Sequence, residues 1–115
     1  MRNFEMSEFA CHCCGKIVMD ETFLEKLDRA RELAGTPFKI VSGYRCQAHN
    51  IAVGSTSKNH VHGKAADIAA TVGPQRGMIL RGLVKAGFKR IGIDKQFIHV
   101  DDMTTEGSPE SCWLY

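Results

Sequence analysis

No stretch of this 115-residue chain approaches the length of a membrane span, which needs about 20 consecutive apolar residues. It has no internal repeat, no low-complexity segment and nothing that reads as a linker. Charge of either sign is scarce in excess: 15 Lys and Arg against 13 Asp and Glu leave a formal +2 at pH 7, too little to argue for nucleic acid as a partner. The first residues, Met1 to Glu8, carry acids and no long apolar run. No signal peptide is therefore expected, and synthesis and folding in the cytoplasm are. What is present is ordinary globular composition, 43% hydrophobic and 24% charged, enough for one compact core. The expectation is a single domain over residues 1–115, monomeric.

Cysteine is the unusual component. The count of five is odd, which argues against a fully paired disulfide framework. Cys11-His12-Cys13-Cys14 contains a C-x-x-C, with Cys46 and Cys112 remote in sequence. Three readings stand side by side. Cys11 and Cys14 could build a structural zinc site with one or two of the others. They could be half-buried thiols that behave as small apolar side chains. A disulfide from the cluster to Cys46 is the third reading, disfavoured in a reducing compartment.

Apolar spacing sets out the elements. Asp20 suits an N-cap, and Phe23, Leu24, Leu27, Ala30 and Leu33 or Ala34 recur at helical spacing up to Gly35 and Pro37. Phe38 to Ser42 alternates as a strand does, Gln47 to Val53 suits one or two helical turns, and Ala65 to Ala70 reads as a second strand. Pro74 opens a helix with Met78, Ile79, Leu83 and Val84 on one face, closed by Gly87. Arg90 to Ile93 and Phe97 to Val100 read as two short strands around Asp94-Lys95-Gln96, and Trp113 to Tyr115 are expected to fold back onto the body. The order predicts an α+β domain with a small, mostly antiparallel sheet packed with helices.

Within that frame the chemistry concentrates at His60, Asp67 and His99. A histidine in an apolar run such as Phe97 to Val100 is, alone, more often a satisfied core residue than a ligand. Asp67 changes the weighing, because it sits in Ala65-Ala66-Asp67-Ile68-Ala69-Ala70, and a buried carboxylate is expensive unless paired or metal-bound. Gly63 would let the backbone turn so that His60 and Asp67 converge, while small Ala65 and Ala66 would leave room beside the ion. Three protein ligands with a fourth position open for water are what a catalytic zinc needs. The chain reads as a zinc hydrolase.

Ser42-Gly43-Tyr44-Arg45, Asn50, His60-x-x-Gly63-x-Ala65-x-Asp67 and Ile98-His99-Val100-Asp101 resemble the zinc D-Ala-D-Ala carboxypeptidase family. Phage endolysins belong to it, and the hedgehog signalling domain is a structural relative. The match runs from about Phe4 to Asp101. It implies a hedgehog/DD-peptidase-like fold and a peptidase that cuts the peptidoglycan stem peptide, either at D-Ala-D-Ala or as an L-Ala-D-Glu-type endopeptidase. It also implies one catalytic zinc held by His60, Asp67 and His99. Arg45 would hold a substrate carboxylate or the developing oxyanion, a task that suits a guanidinium fork. Asn50, Ser57 and His62 are the further substrate-contact candidates. The expected setting is phage or prophage lysis, with holin-type release, or wall remodelling.

Two departures from the family pattern matter. The usual serine two residues before the first histidine is replaced by Lys58, with Ser57 one step earlier. The carboxylate that many members carry three residues before the last histidine is Gln96 here, which cannot take a proton. Asp94 and Asp101 are the candidate general bases. Asp94 is a possible turn former and Asp101 a possible partner of His99 on the same strand face; of the two, Asp94 is preferred. The competing class is a zinc-containing module that binds peptidoglycan or peptide without cutting it.

Overall fold

The computed structural model describes residues 2–55, 59–103 and 110–115. A short 3₁₀ turn, Met6–Phe9, precedes the first helix, α1 (Glu21–Ala34). Then follow β1 (Ile40–Ser42), α2 (Gln47–Ala52), β2 (Ala65–Ala69), α3 (Gly73–Lys85), β3 (Arg90–Ile93), β4 (Phe97–Asp101) and β5 (Ser111–Leu114). Asp20 caps α1 as expected, its carboxylate accepting the Phe23 N–H at 2.9 Å, and Gly35 ends the helix at φ +70°, a left-handed conformation that glycine adopts without strain.

The five strands form one sheet in the order β1-β2-β4-β3-β5. Every pairing is antiparallel except β3 with β5, which is parallel. The α+β class and the mostly antiparallel sheet agree with the sequence. Trp113 and Leu114 do fold back, as part of the edge strand β5 paired with β3. Among the described residues no helix is long and apolar enough to cross a membrane.

Strand alternation gives the sheet two different faces. Ala66, Ile68, Ile91, Ile98 and Val100 join Phe23, Leu24 and Leu27 of α1 and Ile79 and Leu83 of α3 in the core. The intervening residues, Asp67 on β2, His99 and Asp101 on β4, and Arg90 and Gly92 on β3, point the other way. Ala66 therefore packs toward the helices, and only Ala65 shares the face of Asp67, which corrects the expectation that both alanines flank an ion.

The helices approach each other at Gly82, where an added Cβ would lie 2.4 Å from the Ala30 carbonyl oxygen. A glycine in a helix interior normally costs about 1 kcal/mol against alanine, so Gly82 is explained by packing. Gly82→Ala is expected to destabilise the protein by about 1–3 kcal/mol despite its better helix propensity. Urea unfolding checks this, and a midpoint that stayed or rose would show that α1 and α3 can part freely.

Candidate metal centre

One rung of the sheet carries the site. Ser42 of β1 pairs with Asp67 of β2, Asp67 with His99 of β4, His99 with Gly92 of β3, and Gly92 with Trp113 of β5. His60 reaches the same spot from the loop before β2. Gly63, at φ +70°, turns that loop and receives no Cβ because Val18 O would lie 2.3 Å from it. The Gly63 carbonyl accepts the Asp20 N–H at 2.9 Å, which fixes the loop to the start of α1.

Both imidazoles have their tautomers set by a neighbour on the far nitrogen. His60 Nδ1 lies 2.7 Å from the Gly43 carbonyl oxygen, so it carries the hydrogen and leaves the Nε2 lone pair facing Asp67 at 3.4 Å. His99 Nε2 lies 2.7 Å from Asp101 Oδ2, which turns Nδ1 toward Asp67 Oδ1 at 2.9 Å. This is the arrangement in which a histidine ligand is oriented through its other nitrogen. The three donor atoms lie within 4.8 Å of one another and their residues are all buried. The separations from Asp67 Oδ1, 2.9 and 3.4 Å, bracket the roughly 3.3 Å edge of a zinc tetrahedron with N/O ligands. Two neutral-capable imidazoles and one carboxylate fit a divalent zinc.

Asp67 is the electrostatic centre. Burial alone would raise its carboxyl, but hydrogen bonds and charge from His60 and His99 outweigh that and hold it well below the usual carboxylate range. Arg45 Nη2 adds an ion pair to Oδ2 at 3.3 Å. The guanidinium is itself held, Nε by Ser42 Oγ at 3.2 Å and Nη1 by Asn50 Oδ1 at 3.3 Å. Those three bonds leave two of its five N–H donors, and Arg45 borders the cavity.

Asp101 is fully buried, and donors surround it. Arg90 Nε lies 2.7 Å from Oδ1 and the Met103 N–H 3.1 Å from the same oxygen. Asn59 Nδ2 and His99 Nε2 share Oδ2 at 2.9 and 2.7 Å. Burial would raise this carboxyl, yet these bonds, led by the one from His99, hold it below the ordinary value. His99 responds in the opposite sense: burial lowers it, but Asp101 and Asp67 together raise it.

A cavity of about 380 Å³ opens over the centre. His60, Asp67 and His99 border it together with Arg45, Ser55 and Asn59. The opposite wall is Arg90, Phe97, Trp113 and Tyr115. The Trp113 ring lies 5.6 Å from that of His99, with the Arg90 guanidinium 5.2 Å from the indole. Gly92 makes this possible, because an added Cβ would lie 2.5 Å from Trp113 Nε1. Sequence reading missed this wall. Period-two spacing from His99 reaches Phe97 and spacing from Gly92 reaches Arg90, but only the β3–β5 pairing brings in Trp113.

The remaining candidates lie elsewhere. Asn50 is buried and bonded to Arg45, not a lining residue of the cavity. His62 is exposed and outside the lining. Asp94 occupies the β3–β4 turn, where its Oδ2 accepts the Gln96 N–H at 2.9 Å and its own N–H donates to the Phe97 carbonyl at 2.9 Å; it is not a lining residue of the cavity. Ser57 falls outside the described residues.

The model of the family described as peptidase M15 matches residues 2–101. The chain belongs to this family of zinc D-Ala-D-Ala carboxypeptidases, which are metallopeptidases. No curated protein matches it.

Two outcomes follow from the geometry. With His99 raised while the ion is absent, metal binding at Nδ1 must displace a proton, so affinity rises with pH through and above the ordinary histidine range. With the thiols blocked, so that only His60, Asp67 and His99 can take zinc, calorimetry in buffers of different ionisation enthalpy should report release of about one proton per zinc; no buffer dependence would mean that His99 is already neutral. Asp101→Asn should weaken zinc affinity roughly 10–100-fold, measured by competition with a chromogenic chelator.

Proposed function

We propose that this protein is a single-domain zinc peptidase that hydrolyses a peptide bond in the stem peptide of bacterial peptidoglycan. The observation that carries the reading is the convergence of His60 Nε2, Asp67 Oδ1 and His99 Nδ1 beneath an open cavity, with a fixed guanidinium beside it. Zinc held there supplies Lewis-acid chemistry, polarising a carbonyl and making water nucleophilic near neutral pH. Stem peptides end in carboxylates, and the two remaining N–H donors of Arg45 suit such a group or the oxyanion that forms during attack. The wall of Phe97, Trp113 and Tyr115 packs against the apolar parts of the bound peptide.

Asp101 is assigned as the residue that orients His99, since its oxygens already accept four hydrogen bonds. Asp94 is assigned as the general base. By strand alternation it shares the site face, and leaving the Gln96 N–H would free its carboxylate to take a proton from water and return it to the leaving amine. Lysis by a phage or prophage, with release through a holin, and wall remodelling are the two settings in which such an activity would serve.

A second reading, a zinc-containing module that binds peptidoglycan or peptide without cutting it, is favoured by one observation: Gln96 stands where a carboxylate would be, and Asp94 is occupied by the turn. Mass spectrometry of purified peptidoglycan and of a D-Ala-D-Ala-terminated peptide after incubation with zinc-loaded protein separates the two. Cleavage is expected, abolished by His99→Ala and lowered about 10²–10⁴-fold in kcat by Asp94→Asn. Full activity in Asp94→Asn would remove that residue as the base, and intact substrate with zinc bound through His60, Asp67 and His99 would favour the binding module.

A further inference from the structure

The cysteine cluster lies outside the site just described and has a geometry of its own. Cys11, Cys14 and Cys46 place their three sulfur atoms within 4.8 Å of one another, and all are free thiols. The backbone from Cys11 to Lys16 closes on itself: the Gly15 N–H donates to the Cys11 carbonyl at 2.8 Å, and the Cys11 N–H donates to the Lys16 carbonyl at 2.8 Å. Gly15 takes φ +74°, which permits the tight return that brings both ends of the C-x-x-C together. Backbone N–H groups then point at sulfur, as for Cys46 N–H to Cys11 Sγ at 3.4 Å and His49 N–H to Cys46 Sγ at 3.4 Å.

We propose that Cys11, Cys14 and Cys46 hold a second zinc ion, structural in role. Zinc–thiolate bonds of ~2.3 Å require sulfur atoms roughly 3.8 Å apart, and the three sulfur atoms already lie within 4.8 Å of one another. Thiolates select a soft or borderline cation and not magnesium or calcium, and N–H groups directed at sulfur offset the charge of the ligand set. The ion would join two segments distant in sequence. Cys11 follows the 3₁₀ turn, and Cys46 directly follows Arg45. Other bonds already run along this seam: Tyr44 N–H to the Phe9 carbonyl at 2.9 Å, and Gly43 against Phe9, where a Cβ would lie 2.6 Å from Cα. Gly43 also supplies the carbonyl that orients His60.

Cobalt substitution reads this site separately from the histidine site, because only sulfur ligands give an intense near-ultraviolet thiolate-to-cobalt charge-transfer band and His60, Asp67 and His99 contain none. Cobalt-loaded wild type should show the band, the double variant His60→Ala/His99→Ala should retain it, and Cys14→Ser should lose most of it. Zinc content by mass spectrometry should be two per chain in wild type and one in each of those variants. Cys14 is exposed, so its substitution leaves the core intact, and the wild-type spectrum decides even if a variant fails to fold. Absence of the band, or a mass under non-reducing conditions showing a disulfide among these cysteines in freshly purified protein, would overturn the proposal. A single zinc lost with Cys14→Ser but not with the histidine variant would sustain it and count against the peptidase reading instead.

Discussion

A carboxylate buried at the centre of a small protein sets the terms for everything around it. Asp67 sits among apolar neighbours on β2, and an unpaired charge there would cost several kcal/mol. Its compensation comes from three separate parts of the chain: Arg45 from the loop after β1, His60 from the loop before β2, and His99 from β4. None of these partners is local, so the charge is balanced only when the sheet is assembled. Buried ion pairs of this kind seldom raise stability above that of an apolar core of the same volume. Their presence in so small a domain is best understood as the expense of a working site, and the packing between sheet and helices must supply the stability that the site does not.

The sheet solves this by division of labour between its faces. Ile68, Ile91, Ile98 and Val100 bury against α1 and α3, while the alternate positions carry Asp67, His99, Asp101 and Arg90. A register slip of one residue would exchange the two sets, sending charges into the helix interface and isoleucines into the cavity. The ion pair between Arg90 and Asp101, which stand opposite each other across β3 and β4, therefore acts as a register lock. It ties the orientation of His99 to the correct pairing of the strands.

Much of this was legible in the sequence, for reasons that differ by element. Helix α1 carries its own start and stop in Asp20 and Gly35, and β2 carries an aspartate whose neighbours cannot tolerate it unpaired. The convergence of His60, Asp67 and His99 was legible because residue type limits what could bind zinc. The surroundings of Asp94 and Asp101 were not, since alternation predicts a shared face with His99 but not the Asn59 and Arg90 donors that occupy Asp101. The aromatic wall was hidden for a related reason. Trp113 meets His99 only through a parallel pairing of β5 with β3, across a glycine whose importance lies in the side chain it lacks.

The hydrogen bond from Asp20 to Gly63 has a consequence for how the molecule opens. Asp20 caps α1 with its side chain and, through its own N–H, holds the loop that presents His60. If that loop lifts, the residue that begins the helix loses its anchor, so loop and first helical turn form one cooperative unit rather than two independent ones. Amide protons at Gly63, Phe23 and Leu24 would then exchange with solvent at a common opening free energy, and a metal ion seated on His60 would slow exchange in a helix that it never touches.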